Sequence, residues 1–287
     1  SVSIIKVSDY SVTTFNFAAF ESQLASLTAK GFRIFGPGKN FIKDIEPEYV
    51  TVSDDSKTAY VTLQENNAIA EIDIATATVK KITPLGFKDY SLAANAIDVS
   101  DKDNKIEFAN YAKVYGMYMP DAIAFYNYNG TPYLFTANEG DSREYTAYTE
   151  MKRVSAVSLD ATNFPTAATL KTDAILGRLN ITTTLGDTDG DGDFDALERQ
   201  NLAISCFSAA GENDLLFAAE LYCELMYCIS KEGEKWKNLF FDVMKENLSN
   251  DSESKLLVMD LMKIFYLLVK FQYWNEKLIS LQLPLWQ

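Results

Sequence analysis

Histidine is absent from all 287 residues. That absence removes Ser-His-Asp and Cys-His catalysis, histidine zinc sites and histidine general bases, so any chemistry must come from carboxylates, tyrosines, lysines or a metal. Cysteine is scarce: Cys206, Cys223 and Cys228 all lie beyond residue 200, and an odd number without repeated spacing builds no disulfide framework. Cys223 and Cys228 are five apart and would sit off one face of a helix, which argues against a zinc pair. Basic charge is also short, with 26 Lys and Arg against 40 Asp and Glu and a net charge of −14. An acidic surface repels phosphate backbones and anionic lipid and concentrates cations. Nucleic acid is therefore disfavoured as a partner and a divalent cation favoured. The longest apolar stretch, residues 256–274, is interrupted by Asp260, Lys263 and Lys270; it reads as an amphipathic helix with no membrane span, and the chain is expected to be soluble.

Glycine and proline thin out along the chain. Residues 1–200 hold 11 of the 13 glycines and 6 of the 7 prolines, which points to two domains, 1–199 and 200–287. Residues 16–31 carry apolar side chains at Phe17, Phe20, Leu24 and Leu27, with Asn16 as N-cap and Gly31 as terminator, and predict a short helix. From Glu48 the period changes to two. Strands are expected at 49–52, 58–63, 68–74 and 78–82, separated by Asp, Asn, Ser and Lys turns, which together make a meander. After Asn201 helical spacing takes over at 215–229, 236–244 and 256–281, predicting a small antiparallel helical bundle. The fold class is thus mixed, mainly β and then α.

The meander has a partial copy. Pro47-Glu48-Tyr49-Val50 matches Pro120-Asp121-Ala122-Ile123 at an offset of 73, Tyr60 matches Tyr133, and with one inserted residue Thr62 to Ala68 matches Thr136 to Ser142. Each copy is a strand entered by Pro plus a carboxylate, a turn, a second strand and a polar loop carrying Glu65 or Glu139. Repeated four-stranded meanders are the signature of β-propeller blades.

Residues 187–198 hold the strongest motif. Asp187, Asp189 and Asp191 occupy positions 1, 3 and 5 of a twelve-residue EF-hand loop, Gly192 position 6, Asp193 position 7, Asp195 position 9 and Glu198 position 12. Position 7 ligates through its backbone carbonyl and Glu198 can be bidentate. Six carboxylates in twelve residues repel one another unless a hard cation neutralises them, so the expected cofactor is calcium. Without metal the same run would be a solvated acidic loop. The preceding residues, 180–185, read as a strand where an EF-hand has its entering helix, which predicts a lone structural loop and not a sensor that opens on binding.

Several stretches resemble one family. They are Gly31-Phe-Arg-Ile-Phe-Gly-Pro37, Asp44-Ile-Glu-Pro-Glu-Tyr49, residues 59–74, Pro84-Leu-Gly-Phe-Lys-Asp89, Pro120-Asp-Ala-Ile-Ala124, Thr136-Ala-Asn-Glu-Gly-Asp141, and Gly177-Arg-Leu-Asn180 running into the Asp-rich loop. Over residues 3–197 the chain resembles the choice-of-anchor I family of secreted or surface-anchored bacterial β-propellers; the segment beyond 200 has no such likeness. The resemblance implies a secreted or cell-surface location. Through similarity to phytase-like and alkaline-phosphatase-like propellers, it also implies a metal-dependent phosphoester hydrolase as one activity. Glu46, Glu48, Glu65, Asp121, Glu139 and Asp141 would then form a second acidic cluster, because the repeat sets them at equivalent blade positions; carboxylates after Pro and in polar loops also commonly cap strands and turns. The chain departs from the family where it turns helical after Glu198. Two recognisable blades, or three with flanking strands, do not close a ring that needs at least about four.

Three readings follow, with no catalytic residue assigned. The first is a calcium-binding extracellular structural or ligand-binding module of propeller type. The alternatives are a phosphoester hydrolase and a helical module that binds a protein partner through its tail.

Overall fold

The computed structural model describes residues 1–36, 38–105, 107–128, 131–138, 140, 142–200, 203–208 and 215–219. Its strands are β1 (Val2–Lys6), β2 (Ser11–Phe15), β3 (Pro47–Val52), β4 (Thr58–Leu63), β5 (Ala68–Asp73), β6 (Thr78–Pro84), β7 (Phe87–Asp89), β8 (Val114–Met117), β9 (Pro120–Tyr128), β10 (Thr131–Asn138), β11 (Glu144–Tyr145), β12 (Tyr148–Thr149), β13 (Met151–Arg153), β14 (Asn180–Thr182), β15 (Leu197–Gln200), β16 (Ala203–Ser208) and β17 (Leu215–Ala219). Helices are short: α1 (Leu24–Thr28), α2 (Phe41–Asp44) and α3 (Ala167–Leu170), with single 3₁₀ turns elsewhere. The chain divides into units Ser1–Cys223 and Glu224–Gln287, and the second lies outside the described residues.

The predicted meander is present as the antiparallel sheet β3-β4-β5-β6. Its turns are made by residues that bond their own backbone. Asp55 Oδ1 accepts from Lys57 N at 3.1 Å, and Asp73 Oδ1 from Thr76 N at 2.9 Å. Ser56, Asn67 and Ala77 adopt the left-handed conformation the tight connections require. β4 is buried over nearly its whole length because both faces of the sheet are covered. One face packs on residues 17–45, where Phe17, Phe20, Leu27, Phe32, Phe41 and Ile45 meet Leu63, Ala70 and Ile72. The helix predicted over 16–31 is there a 3₁₀ turn at Ala18–Gln23 followed by α1, and Asn16 Oδ1 accepts from Ala18 N at 2.9 Å. Gly31 closes the segment at φ +96°, and a Cβ there would lie 2.8 Å from Gly86 Cα, so only glycine fits.

The repeat corresponds to hairpins β3-β4 and β9-β10. On the other side of the meander β9 packs against β3 and β4. Thr62 Oγ1 donates to Asp121 O at 2.9 Å, Phe125 N donates to Thr51 Oγ1 at 3.0 Å, and the Tyr60 and Phe125 rings stack at 5.9 Å.

Two expectations are corrected. After Asn138 the chain leaves the second sheet, and the third and fourth places are filled much later by β16 and β17, giving the order β9-β10-β16-β17. Residues 203–208 and 215–219 are therefore strands where the tail was expected to be helical. The physical reason is that five successive apolar residues at Leu215–Ala219 suit a strand or a helix equally well, and the open edge of β10 supplies hydrogen-bonding partners to β16, whose own outer edge supplies them to β17. No helical bundle occurs among the described residues, and the predicted helices at 236–244 and 256–281 lie outside them. The described sheets do not close into a propeller ring, and the incomplete propeller read from the sequence is not at odds with that. No described helix is long and apolar enough to cross a membrane.

The residues between β10 and β16 carry smaller sheets, β11-β12 and β13-β14, while β15 joins β8 in parallel beside β7. They enclose a second core of Tyr90, Ile97, Val114, Val154, Leu176, Ile181 and Leu197. The Asp-rich loop sits on this core between β14 and β15.

Candidate metal centre

The Asp-rich loop is a chain of carboxylate-to-amide turns. Asp187 accepts from Gly190 N at 2.7 Å through Oδ1 and from Gly192 N at 3.1 Å through Oδ2. Asp189 accepts from Asp191 N at 3.3 Å and Asp191 from Asp193 N at 3.0 Å. Gly190 and Gly192 have φ of +81° and +97° with open space where a Cβ would point, the conformation position 6 of the motif demands. Strands flank the loop on both sides, β14 before and β15 after.

Two triads of ligand-capable oxygens form there, each lying within 4.8 Å of one another. One comprises Asp187, Asp189 and Asp195, and the other Asp160, Asp193 and Asp195. Asp195 belongs to both. Its Oδ1 accepts from Asn163 Nδ2 at 3.0 Å and its Oδ2 from Thr188 N at 2.9 Å, and the Thr188 hydroxyl leads the interactions that hold its carboxyl below the ordinary range. Asp193 is pushed upward by desolvation and by the charges of Asp191 and Asp160, as expected where carboxylates converge. Asp160 was not legible in the loop motif; a parallel bridge between Leu159 and Phe194 brings it in.

Asp191 and Glu198 belong to neither triad. Glu198 rides on β15 with its Oε2 buried and unpartnered, and burial pushes its carboxyl up to about 7. A Cβ on Gly186 would lie 2.7 Å from that oxygen.

The second acidic cluster forms in part. Pro47 pairs with Leu63 in the β3-β4 ladder, and a bulge follows before Val50 pairs with Val61. Glu46 and Glu48 thus flank the pair, while Glu65 stands two residues beyond Leu63. The three carboxylates offer oxygens within 4.8 Å of one another. Burial, reinforced by Glu46 and Glu48, pushes Glu65 up to about 8. Asp121 contributes only its carbonyl, to Thr62, and its carboxylate joins no acidic group among the described residues. Glu139 and Asp141 lie outside the described residues.

Around this cluster lie residues that motif reading missed. Arg143 pairs with Glu46 and with Asp44, the latter at 3.5 Å, and Arg33 pairs with Glu150. Both guanidiniums stack on Phe35, at 4.2 Å for Arg33 and 4.5 Å for Arg143. Burial lowers the Arg33 pKa, and Glu150 opposes that shift. The one sequence signal was a lone charge, Arg33, between Phe32 and Ile34-Phe35. Asn66 and Asn67 are fully buried. Asn66 Nδ2 donates to the carbonyls of Arg33 at 3.0 Å and Asp44 at 2.9 Å, and its Oδ1 accepts from Glu46 N at 3.1 Å.

The Choice-of-anchor I domain model matches residues 1–199. No curated protein and no solved structure matches the chain. The family match spans well over half of the chain and contains both the β3-β6 meander and the Asp-rich loop, so the chain belongs to the choice-of-anchor I domain family.

Proposed function

We propose that this chain is an extracellular, calcium-stabilised structural or ligand-binding module of propeller type, in which the 187–198 loop holds the ion. The observation that carries the reading is the meeting of Asp187, Asp189 and Asp195 oxygens within 4.8 Å, in a loop whose left-handed glycines give it the turn an oxygen-lined calcium site uses. Family membership supports a place at or beyond the cell surface, where calcium is abundant enough for a weak site to fill. The two hairpins related by the repeat support the propeller class. The ion would join β14 to β15 and screen the aspartates from one another.

Thermal unfolding tests the reading. Calcium raises the melting temperature, EDTA lowers it, and Asp187→Ala removes most of the difference; equal melting with and without calcium in the unaltered chain overturns it. One observation favours a second reading, a metal-dependent phosphoester hydrolase. Glu46, one of the three clustered glutamates, pairs with the Arg143 guanidinium, and a meeting of carboxylates and cation suits phosphate chemistry. Turnover of a phosphomonoester that stops on chelation would establish it.

A further inference from the structure

We infer that the β1-β2 hairpin is a self-association surface, on which a second copy of this chain packs outer face to outer face. The proposal rests neither on the calcium reading nor on catalysis. The ladder pairs Val2 with Phe15, Ile4 with Thr13 and Lys6 with Ser11 on one face, and Ser3 with Thr14 and Ile5 with Val12 on the other. Val2 and Phe15 pack on the cluster that holds Phe17, Phe20 and Leu27, so the first face is turned inward and Ile5 and Val12 point out. They are 59 % and 58 % exposed, and Val7 and Tyr10 in the turn, at 77 % and 78 %, are the most exposed large apolar side chains among the described residues.

Single exposed apolar side chains are ordinary, whereas four gathered at one hairpin tip mark an interaction site. The hairpin is a sheet of two strands with no third among the described residues, and a two-stranded sheet is marginal in water unless something packs on it. Val2 and Phe15 supply that packing at the root. Nothing supplies it at the tip, where residues 5–14 are all exposed.

The occupant follows from charge. Residues 1–20 carry only Lys6 and Asp9, which pair with each other at 2.9 Å, so the whole net charge of −14 belongs to residues 21–287. A basic partner would be drawn to that acidic remainder and would gain nothing from the hairpin. Two copies repel across their acidic surfaces and can approach at this neutral one. The outer face also complements itself: a two-fold axis sets Ile5 of one copy against Val12 of the other, and Val12 against Ile5, as in an isologous dimer. The four side chains offer roughly 500 Å² per copy, or about 1,000 Å² in all, which is the lower bound for a specific interface. The dimer is therefore weak and dissociates at the dilution of a size-exclusion column.

Sedimentation velocity of the full chain tests this, at rising protein concentration and at low and high salt, in EDTA so that calcium cannot bridge the acidic surfaces. Val12→Glu and Tyr10→Asn are compared, each checked for folding by circular dichroism. The expected result is a monomer–dimer equilibrium that tightens as salt screens the acidic surfaces and weakens by about tenfold or more in Val12→Glu, which brings like charges together in the contact. Should Val12→Glu misfold, Tyr10→Asn decides, because it adds no charge and asparagine tolerates the left-handed backbone there, φ 57°; the dimer should weaken in it as well. A chain that stays monomeric into the high micromolar range at both salt concentrations overturns the proposal. A dimer that the folded variants leave intact overturns it too, since another surface then makes the contact.

Discussion

Asn67 organises more of the backbone than any residue the motifs singled out. Its amide donates to Gly31 O at 3.1 Å and Gly86 O at 2.8 Å, and its carbonyl accepts from Tyr118 N at 2.9 Å and Met119 N at 3.2 Å. It does so from a left-handed conformation, φ 55°, that asparagine tolerates better than most residues. Asn67→Ala leaves four backbone groups, three of them buried, short of a partner and should cost about 3 kcal/mol or more, read as a lower urea midpoint. Glu65 makes a pH prediction. Its carboxyl is raised from 4.5 to about 8 in the folded chain, so the folded state binds the proton more tightly than the unfolded one. The stability this provides is complete below pH 4.5 and is lost as pH rises towards 8. In EDTA, urea unfolding across that window should show stability falling with pH, and Glu65→Gln should flatten the fall; an identical slope in the variant would show that Glu65 titrates normally.

At the scale of elements, the two hairpins related by the repeat have different fates. β4 is followed at once by β5 and β6, whereas β10 waits for β16, and the residues between build the second core and the Asp-rich loop. β16 pairs with β10 from Tyr133 to Asn138, and β17 pairs with β16 in turn. Truncation after residue 200, at the end of the family match, would therefore uncover the β10 edge. An uncovered edge is a template for pairing with other chains, so the truncated protein should elute as oligomers or aggregate in size-exclusion chromatography while the full chain does not.

At the scale of the unit Ser1–Cys223, the described residues form three hydrophobic clusters joined by buried polar ties. The Arg33–Glu150 pair, with Thr182 and Thr184 hydroxyls on the same guanidinium, links the 31–36 segment to β14. Buried charges of this kind cost desolvation energy, and they hold the elements to one register because any slip leaves a charge unpaired. Such a framework gains from bound ions: a site filled at 100 times its dissociation constant contributes about 2.7 kcal/mol to folding. The melting experiment with calcium and EDTA measures that effect.

Local pattern by itself determined the β3-β6 meander, its turns, the hairpin repeat and the glycine-built Asp-rich loop. Each depends on residues near one another in the chain, such as Asp73 with Thr76 or Asp187 with Gly192. Tertiary structure decided the rest. It turned Leu215–Ala219 into a strand, because an apolar pentamer takes the conformation its partner edge offers. It brought Asp160 to Asp195 across a bridge and set Glu198 on β15, outside both aspartate triads but with its Oε2 beside Gly186 at the start of the loop. It joined Glu65 to Glu46 and Glu48 but not Asp121, because the first three lie around a single cross-strand pair whereas Asp121 belongs to a neighbouring sheet. The chemistry of each carboxylate could be read from the sequence, but which carboxylates share a space depended on strand pairing between residues far apart in the chain.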